Sequence, residues 1–332
     1  MDDQFLTMAG LRDKIGEVAA LIPREKPVVF LDYPVYLNIG DLLIDKGTEA
    51  FFHHFDYRLA GVRSAYDFSD ERAKAIGSDA TIVFQGGGNF GDLYDLHQKF
   101  RERIIDRFRN NRIVLLPQTI YFESQRRLDE CVDVFRAHPD LHVCVRDHNS
   151  YNLFRRHFPN PVYLFPDMAH FLWDEFESDR RIEPRQATLL FLRADKEESP
   201  FVYPSAAGQK PLDWGNIIDP LDRTTFMALL RWHRHHDRIL PRTEIYTLWR
   251  LYREHLINKA TRLVSDYDSV VTNRLHMALL GLLMGRRVAM SDNSYGKLSA
   301  YHSCWLKEIP AAEMLTAQES AAQPRALVPA AI

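Results

Sequence analysis

Residues 81–94 read Thr-Ile-Val-Phe-Gln-Gly-Gly-Gly-Asn-Phe-Gly-Asp-Leu-Tyr. The apolar run at the start is typical of a buried strand, and three consecutive glycines then remove every Cβ from the end of that strand. Backbone amides in such a loop suit an anion, for example a phosphate or a carboxylate. Two interpretations remain open at this point: an anion-binding loop, or a tight turn from strand to helix that binds nothing.

On both sides of this stretch, short apolar runs typical of strands alternate with segments whose apolar residues have helical spacing. This alternation extends along most of the chain. Such alternation predicts an α/β fold with parallel sheets covered by helices. A charged, strand-poor segment at 174–186 is the predicted linker, which gives an N-terminal domain at 1–173 and a C-terminal domain at 187–310. Residues 311–332, rich in Ala, Pro and Gln, are the predicted frayed tail.

Composition excludes several classes of protein. The 332 residues carry a net charge of −3, so nucleic acid is not an expected partner. The three cysteines lie far apart, and neither a disulfide framework nor a metal site is expected. The N-terminus is acidic where a secretory leader is basic, and the longest apolar run is too short to span a bilayer. We therefore expect a cytoplasmic protein.

Polar side chains follow several predicted strands, and the carboxyl ends of parallel strands meet at one crevice. The candidates from the first half of the chain are Asn38, Asp41, Gly87, Gly88, Asn89, Gln118 and Arg146. Those from the second half are Arg193, Arg274, His276 and Lys297. Their concentration predicts a ligand site between the two domains.

Arg274 and His276 form the sharpest pair, because an apolar strand delivers both to the start of an apolar helix. Arginine can hold a carboxylate or phosphate with two hydrogen bonds, and histidine can exchange a proton near neutral pH. The alternative is that Arg274 pairs with a structural carboxylate and His276 caps backbone groups. The other three cations also have alternatives to a role in ligand binding. Arg146 could be part of a helix cap, Arg193 could lie in a solvated loop and Lys297 could lie at the surface.

Seven arginines and four aromatic residues interleave between residues 231 and 262. One interpretation is a surface for an anionic partner, such as a diphosphate-linked lipid at a membrane face. The other is a solvated helix face with an aromatic stripe packed inward, which such runs more often form.

In order along the chain, a set of short motifs resembles the polysaccharide pyruvyl transferase family. The matching residues are Asn38–Asp41, Gly86–Gly91, Pro117-Gln118, Val145–Asp147 with Ser150, Pro166-Asp167, Arg193, Arg274–His276 and Tyr295–Lys297. They span most of the chain. The resemblance implies two Rossmann-like domains that face each other across a cleft, as in GT-B glycosyltransferases.

The resemblance also implies a reaction, in which the enolpyruvyl group of phosphoenolpyruvate moves to a sugar hydroxyl pair and forms a pyruvate ketal. Arg146, Arg193, Arg274 and Lys297 are then expected to bind the donor, His276 to protonate its methylene carbon, and Asp41 to assist the acceptor hydroxyl. Asn38, Gly87, Gly88, Asn89 and Gln118 are expected to form the acceptor side or the loop around it.

No cofactor is expected in this reaction, and the acceptor is a glycan or a lipid-linked oligosaccharide, which would bring the protein to the inner face of the membrane. Two other functions remain open, a GT-B glycosyltransferase that uses a nucleotide sugar and a non-catalytic protein that binds sugars or anions.

Overall fold

The computed structural model describes residues 7–193, 210–239, 245–292 and 296–315. Within these ranges the first half of the chain forms a seven-stranded parallel sheet. Its strands are β1 (Val28–Leu31), β2 (Leu59–Arg63), β3 (Thr81–Phe84), β4 (Gly87–Gly91), β5 (Ile113–Tyr121), β6 (Leu141–Val145) and β7 (Val162–Leu164). The order across the sheet is β2-β1-β3-β5-β6-β7, and β4 pairs with the outer part of β5.

The helices of this half are α1 (Met8–Gly16), α2 (Ile39–His54), α3 (Asp70–Lys74), α4 (Asp95–Arg107), α5 (Gln125–Arg136) and α6 (His148–His157). Two 3₁₀ segments, Glu17–Leu21 and Met168–Leu172, complete it. Every residue of β1 and β3 is buried, as expected for strands with helices on both faces.

The second half forms a four-stranded parallel sheet in the order β11-β10-β9-β8. These strands are β8 (Arg185–Phe191), β9 (Tyr267–Thr272), β10 (Arg287–Met290) and β11 (Ala312–Met314). The helices around it are α7 (Glu177–Arg180), α8 (Trp214–Ile217), α9 (Pro220–Ile239), α10 (Ile245–Ser265), α11 (Leu275–Leu283) and α12 (Lys297–Tyr301), followed by a π-helical turn at His302–Leu306. The predicted α/β architecture with two parallel sheets is confirmed.

Helix α2 joins the two halves. One face of the larger sheet packs against α4 and α5 in a separate core that includes Phe84, Ile104 and Phe135. The opposite face packs against α2, and this second core continues without a break into α10 and α11, for example through Leu43, Leu256 and Leu280. The start of α2 is therefore held by both sheets.

The glycine run is not the irregular loop before a helix that both interpretations of the sequence assumed. Gly87–Gly91 is a strand, and α4 begins only at Asp95. Gly91 has a φ of 133°, and a Cβ there would lie 1.6 Å from the Tyr121 carbonyl oxygen. Glycine is required at this position because the neighbouring strand β5 runs on to Tyr121, beyond its predicted end near residue 119.

Other elements also differ from the sequence-based expectation. The short strands β2 and β7 were not predicted, since neither is a long apolar run. The predicted frayed tail begins with β11, which pairs with β10, so residues 312–314 are ordered structure. The predicted linker contains α7 and the first residues of β8. The domain limits at 173 and 187 stay a prediction.

Candidate functional site

A cavity of about 380 Å³ lies at the carboxyl ends of the strands, between the two sheets. Residues from the first half line one side: Tyr36, Asn38, Asp41, Gly86, Gly88, Asn89, Tyr94, His97, Thr119 and Arg146. Residues from the second half line the other side: Arg193, Trp214, Asn273, Arg274, Leu275, His276 and Leu298. The cavity therefore brings together most of the residues predicted from the sequence.

Among the described residues, two of the predicted ones, Gln118 and Gly87, do not line this cavity. Gln118 is fully buried beneath it, where its side chain donates to the Gln85 carbonyl oxygen at 2.6 Å. Gly87 faces Ile44 of α2, and its φ of 126° explains why glycine occupies the position. Lys297 begins α12, but its side chain lies outside the described part of the structure, as does the loop at 293–295.

A buried carboxylate links Arg146 to His276. Arg146 Nη1 donates to Asp167 Oδ2 at 2.5 Å, and His276 Nε2 lies 3.3 Å from the same oxygen. Burial alone would raise the pKa of Asp167, but the charges of His276 and Arg146 hold that pKa well below its ordinary value. An ionised carboxylate only accepts hydrogen bonds, so Nε2 carries a proton and Nδ1 is the other functional atom of the ring.

The supports of this group come from distant parts of the chain. Arg146 Nε donates to Thr119 Oγ1 at 2.9 Å, and Trp305 Nε1 donates to the Arg146 carbonyl oxygen at 2.9 Å. The backbone N–H of Asp167 donates to the hydroxyl of the buried Tyr301 at 2.9 Å. Such contacts fix the guanidinium and imidazole in place before any ligand binds.

The fork of Arg274 is held by Asp213. Its Nε donates to Oδ1 at 2.5 Å and its Nη2 to Oδ2 at 2.7 Å, and both side chains are largely buried. The sequence had left open whether Arg274 pairs with a structural carboxylate, and the structure shows that it does. Arg274 still lines the cavity, so it contributes charge there, but this edge of its guanidinium is already engaged.

The N-terminus of α2 lines the cavity next to His276. Asn38 caps this helix by accepting from the Gly40 N–H at 3.1 Å, and its Nδ2 donates to Asp41 Oδ2 at 2.7 Å. Burial, followed by the charge of Asp41, raises the pKa of Tyr36 well above its ordinary value, so its hydroxyl stays protonated and donates to Asp41. Asn38 and Asp41 thus form a preorganised polar wall.

Sequence reasoning missed a second histidine in the cavity. His97 Nδ1 lies 2.8 Å from Asp32 Oδ1, and both side chains are buried. Asp32 directly follows β1, so the rule that gathers residues at strand ends could have identified it. His97 lies inside α4, and nothing in its neighbourhood along the chain distinguishes it from an ordinary surface residue.

The described residues offer neither a cluster of metal ligands nor a helix that could span a membrane. They contain no group of three or more His, Cys, Asp or Glu side chains placed to hold a metal ion. None of the helices in the described ranges is both long and apolar enough to cross a membrane. From the histidine-rich run at 233–236, His233 instead packs inward and lies 2.9 Å from the hydroxyl of Tyr33.

Gly40 makes room for His276. A Cβ at Gly40 would lie 2.8 Å from Nδ1 and 2.9 Å from Cβ of His276, closer than such contacts allow. We expect Gly40→Ala to reduce activity at least about tenfold through displacement of the imidazole, since small misplacements of catalytic groups are costly. Alanine favours helices, so the melting temperature should fall little.

Gly16→Ala is the matched control, because it adds a methyl group to a helix where the nearest atoms stand at 3.7 Å. Activity and melting temperature should be measured for both variants. Equal activity in the two would show that the space beside Nδ1 has no role.

Comparison with known proteins adds the family. Residues 38–295 match the family model described as polysaccharide pyruvyl transferase. The chain is 34% identical to the putative pyruvyl transferase EpsO of Bacillus subtilis, over 94% of this chain and 96% of that protein. It is 25% identical to pyruvyl transferase 1 of Schizosaccharomyces pombe, over 85% of this chain and 70% of that protein.

Among solved structures, a functionally uncharacterised protein of Klebsiella pneumoniae has a similar fold. The TM-score is 0.60 at 20% identity, with 92% of this chain and 98% of that chain covered. This likeness supports the two-sheet architecture alone. The match to the family model and the identity to EpsO establish the relationship: the chain belongs to the polysaccharide pyruvyl transferase family.

Proposed function

We propose that this protein transfers the enolpyruvyl group of phosphoenolpyruvate to two hydroxyls of a sugar in an exopolysaccharide precursor and forms a pyruvate ketal. The observation that supports it best is the group formed by Arg146, Asp167 and His276 on the wall of the cavity. In this group the buried carboxylate of Asp167 binds both the guanidinium of Arg146 and the protonated Nε2 of His276.

The charges of the cavity suit such a donor. Phosphoenolpyruvate carries a phosphate and a carboxylate a short distance apart, and Arg146, Arg193 and Arg274 all line the cavity. Guanidinium groups bind both anions well. Lys297 is proposed as a fourth cation on the basis of its sequence motif.

His276 is the proposed acid. With Nε2 donating to Asp167, the proton on Nδ1 is the one available for transfer, and this atom lies beside Gly40, which has no Cβ. Protonation of the donor's methylene carbon makes its C2 cationic and open to attack by a sugar hydroxyl. A positioned acid of this kind accelerates such a step by about 10²–10⁴-fold.

Other residues that line the cavity suit the acceptor. Asn38 and Asp41 offer an amide and a carboxylate to sugar hydroxyls, and the half-exposed ring of Tyr94 offers an apolar face at the mouth. Leu93 and Leu96 are exposed beside Tyr94, by 41% and 45%. We propose that this mouth receives the glycan of a lipid-linked precursor at the cytoplasmic face of a membrane.

The donor can be tested by ligand-induced stabilisation, because a ligand that binds the folded state raises the melting temperature. Phosphoenolpyruvate should stabilise the protein, and UDP and GDP should not. Stabilisation by a nucleotide alone would instead indicate a nucleotide-sugar glycosyltransferase. Stabilisation by glycans, with no turnover of any donor, would indicate a binding protein.

Product formation should survive exhaustive treatment with EDTA. In the proposed mechanism arginine and histidine side chains neutralise the charge of the donor, so a metal ion has no step to perform. The measurement is the mass of products from phosphoenolpyruvate and a panel of glycosides, before and after chelation. Activity that disappears and returns with Mg²⁺ or Mn²⁺ would refute the metal-free mechanism.

A further inference from the structure

The cavity contains a second histidine–carboxylate pair besides His276 and Asp167. His97 lines the cavity and its Nδ1 is held by Asp32 Oδ1 at 2.8 Å. Among the described residues His97 Nε2 has no hydrogen-bond partner. A neutral imidazole whose Nδ1–H is bound by a carboxylate presents a lone pair at Nε2, which is the arrangement of a general base.

The position of Asp32 is itself specified by the fold. The backbone φ of Asp32 is 69°, which lies in the left-handed region that residues other than glycine rarely adopt. Its second oxygen, Oδ2, accepts from Asn89 Nδ2 at 3.5 Å, and Asn89 Oδ1 in turn accepts from Arg101 Nη2 at 2.6 Å. Strained residues held in this way cluster at functional sites.

The groups around His97 come from three elements. Asp32 follows β1, Asp41 belongs to α2, and Arg101 lies one turn further along α4, while the ring of Tyr36 packs edge-on at 5.6 Å. Burial lowers the pKa of His97, but the charge and hydrogen bond of Asp32 outweigh it, and the net result is a raised pKa. A stronger base accepts a proton more readily.

We infer that His97, positioned by Asp32, is the base that accepts the proton of the first attacking sugar hydroxyl. This inference rests on the proposed function, since it concerns the acceptor half of that reaction. His97 would be a catalytic residue, because it touches the acceptor, and Asp32 a positioning residue that acts through it.

The proton transfers then balance. His276 gives its proton to the methylene carbon, which becomes the methyl group. The first hydroxyl gives its proton to His97 Nε2 as its oxygen bonds to C2. Phosphate leaves with the electron pair of its C–O bond and takes the proton from His97. The second hydroxyl closes the ketal and returns a proton to His276, so both histidines recover their starting states.

Asp41 is less suited to this role than the sequence suggested. Its carboxylate already accepts from Asn38 Nδ2 at 2.7 Å and from the Tyr36 hydroxyl. Both contacts hold the carboxylate in place and occupy part of its capacity to accept hydrogen bonds. The geometry therefore favours Asp41 as a group that orients the acceptor.

The first test is His97→Gln, with His53→Gln as the matched control at an exposed position at the far end of α2. Turnover of phosphoenolpyruvate with a glycoside should fall about 10²-fold in His97→Gln, the lower limit for lost acid–base catalysis, and not in the control. Stabilisation by phosphoenolpyruvate alone should match the wild type, because the substitution changes none of the proposed donor contacts Arg146, Arg193 and Arg274.

The second test is Asp32→Asn, which keeps a residue that tolerates positive φ and removes only the charge. A base works when neutral, so activity rises with pH through the pKa of His97. Loss of the Asp32 charge lowers the pKa of His97. The acidic limb in the pH profile of kcat should therefore move to lower pH. A purely structural role for Asp32 would lower kcat without moving the limb.

Normal turnover in a folded His97→Gln variant, or an acidic limb unmoved in Asp32→Asn, would overturn the inference while leaving the proposed function intact. Loss of donor stabilisation in His97→Gln would also overturn it, because His97 would then belong to the donor side. A wild-type protein that neither binds nor consumes phosphoenolpyruvate would instead reject the proposed function.

Discussion

Replacing His276 with glutamine is expected to lower pyruvyl transfer by about 10²–10⁴-fold in a protein that remains folded. Glutamine can still donate to Asp167 from the position of Nε2, so the buried carboxylate keeps a partner. It has no proton to give to the donor's methylene carbon. The measurement is kcat with phosphoenolpyruvate and a glycoside, beside a thermal melt of each variant.

A measurement of donor binding distinguishes the loss of catalysis from a loss of structure in this experiment. Arg146 stays in place in the His276→Gln variant, so phosphoenolpyruvate should still raise the melting temperature. His53→Gln again serves as the control for the substitution itself. Turnover within a few-fold of the wild type would assign the acid to another group.

The sequence predicted much of the fold because buried parallel strands are short continuous apolar runs. The strands β1, β3, β9 and β10 are such runs, and polar residues at the carboxyl ends of predicted strands pointed to the cavity. The same reasoning brought Arg146, Arg274 and His276 together. These features depend only on local sequence and on the way parallel strands share an edge.

What the sequence could not show depends on contacts between distant residues. Asp32 and His97 lie 65 residues apart, and Asp213 and Arg274 lie 61 apart. Neither pairing leaves a local pattern. The need for glycine at position 91 likewise comes from the Tyr121 carbonyl of a neighbouring strand, so a strand at residues 87–91 was not expected from the local sequence.

The basic and aromatic run at 231–262 was open to two interpretations, and two of its described members favour the inward-packed one. Trp249 is fully buried, and Arg253 is 1% exposed. Arg253 Nη1 donates to the buried Asp45 Oδ2 at 2.7 Å, and Nη2 also pairs with Glu49. This arginine joins α10 to α2, the helix that presents Asn38 and Asp41 to the cavity.

Arg253→Met should therefore cost about 3–5 kcal/mol of stability, the usual effect of leaving a buried charge without its partner. Arg250→Met is the matched control. Arg250 pairs with Glu49 at 2.5 Å but is 47% exposed, and loss of an exposed pair should cost about 1 kcal/mol or less. Denaturant unfolding of both variants measures the difference, and equal losses would contradict a structural role for the buried pair.

The loss in Arg253→Met should also depend on pH. Burial raises the pKa of Asp45, and the charge of Arg253 opposes that rise, so the variant must raise it further. A carboxyl whose pKa is higher in the folded state binds more protons there, and stability then falls as pH rises through that pKa. The variant should therefore lose more stability at pH 8 than at pH 5. Arg253→Met combined with Asp45→Asn should remove this pH dependence, since no buried carboxyl at position 45 remains to titrate.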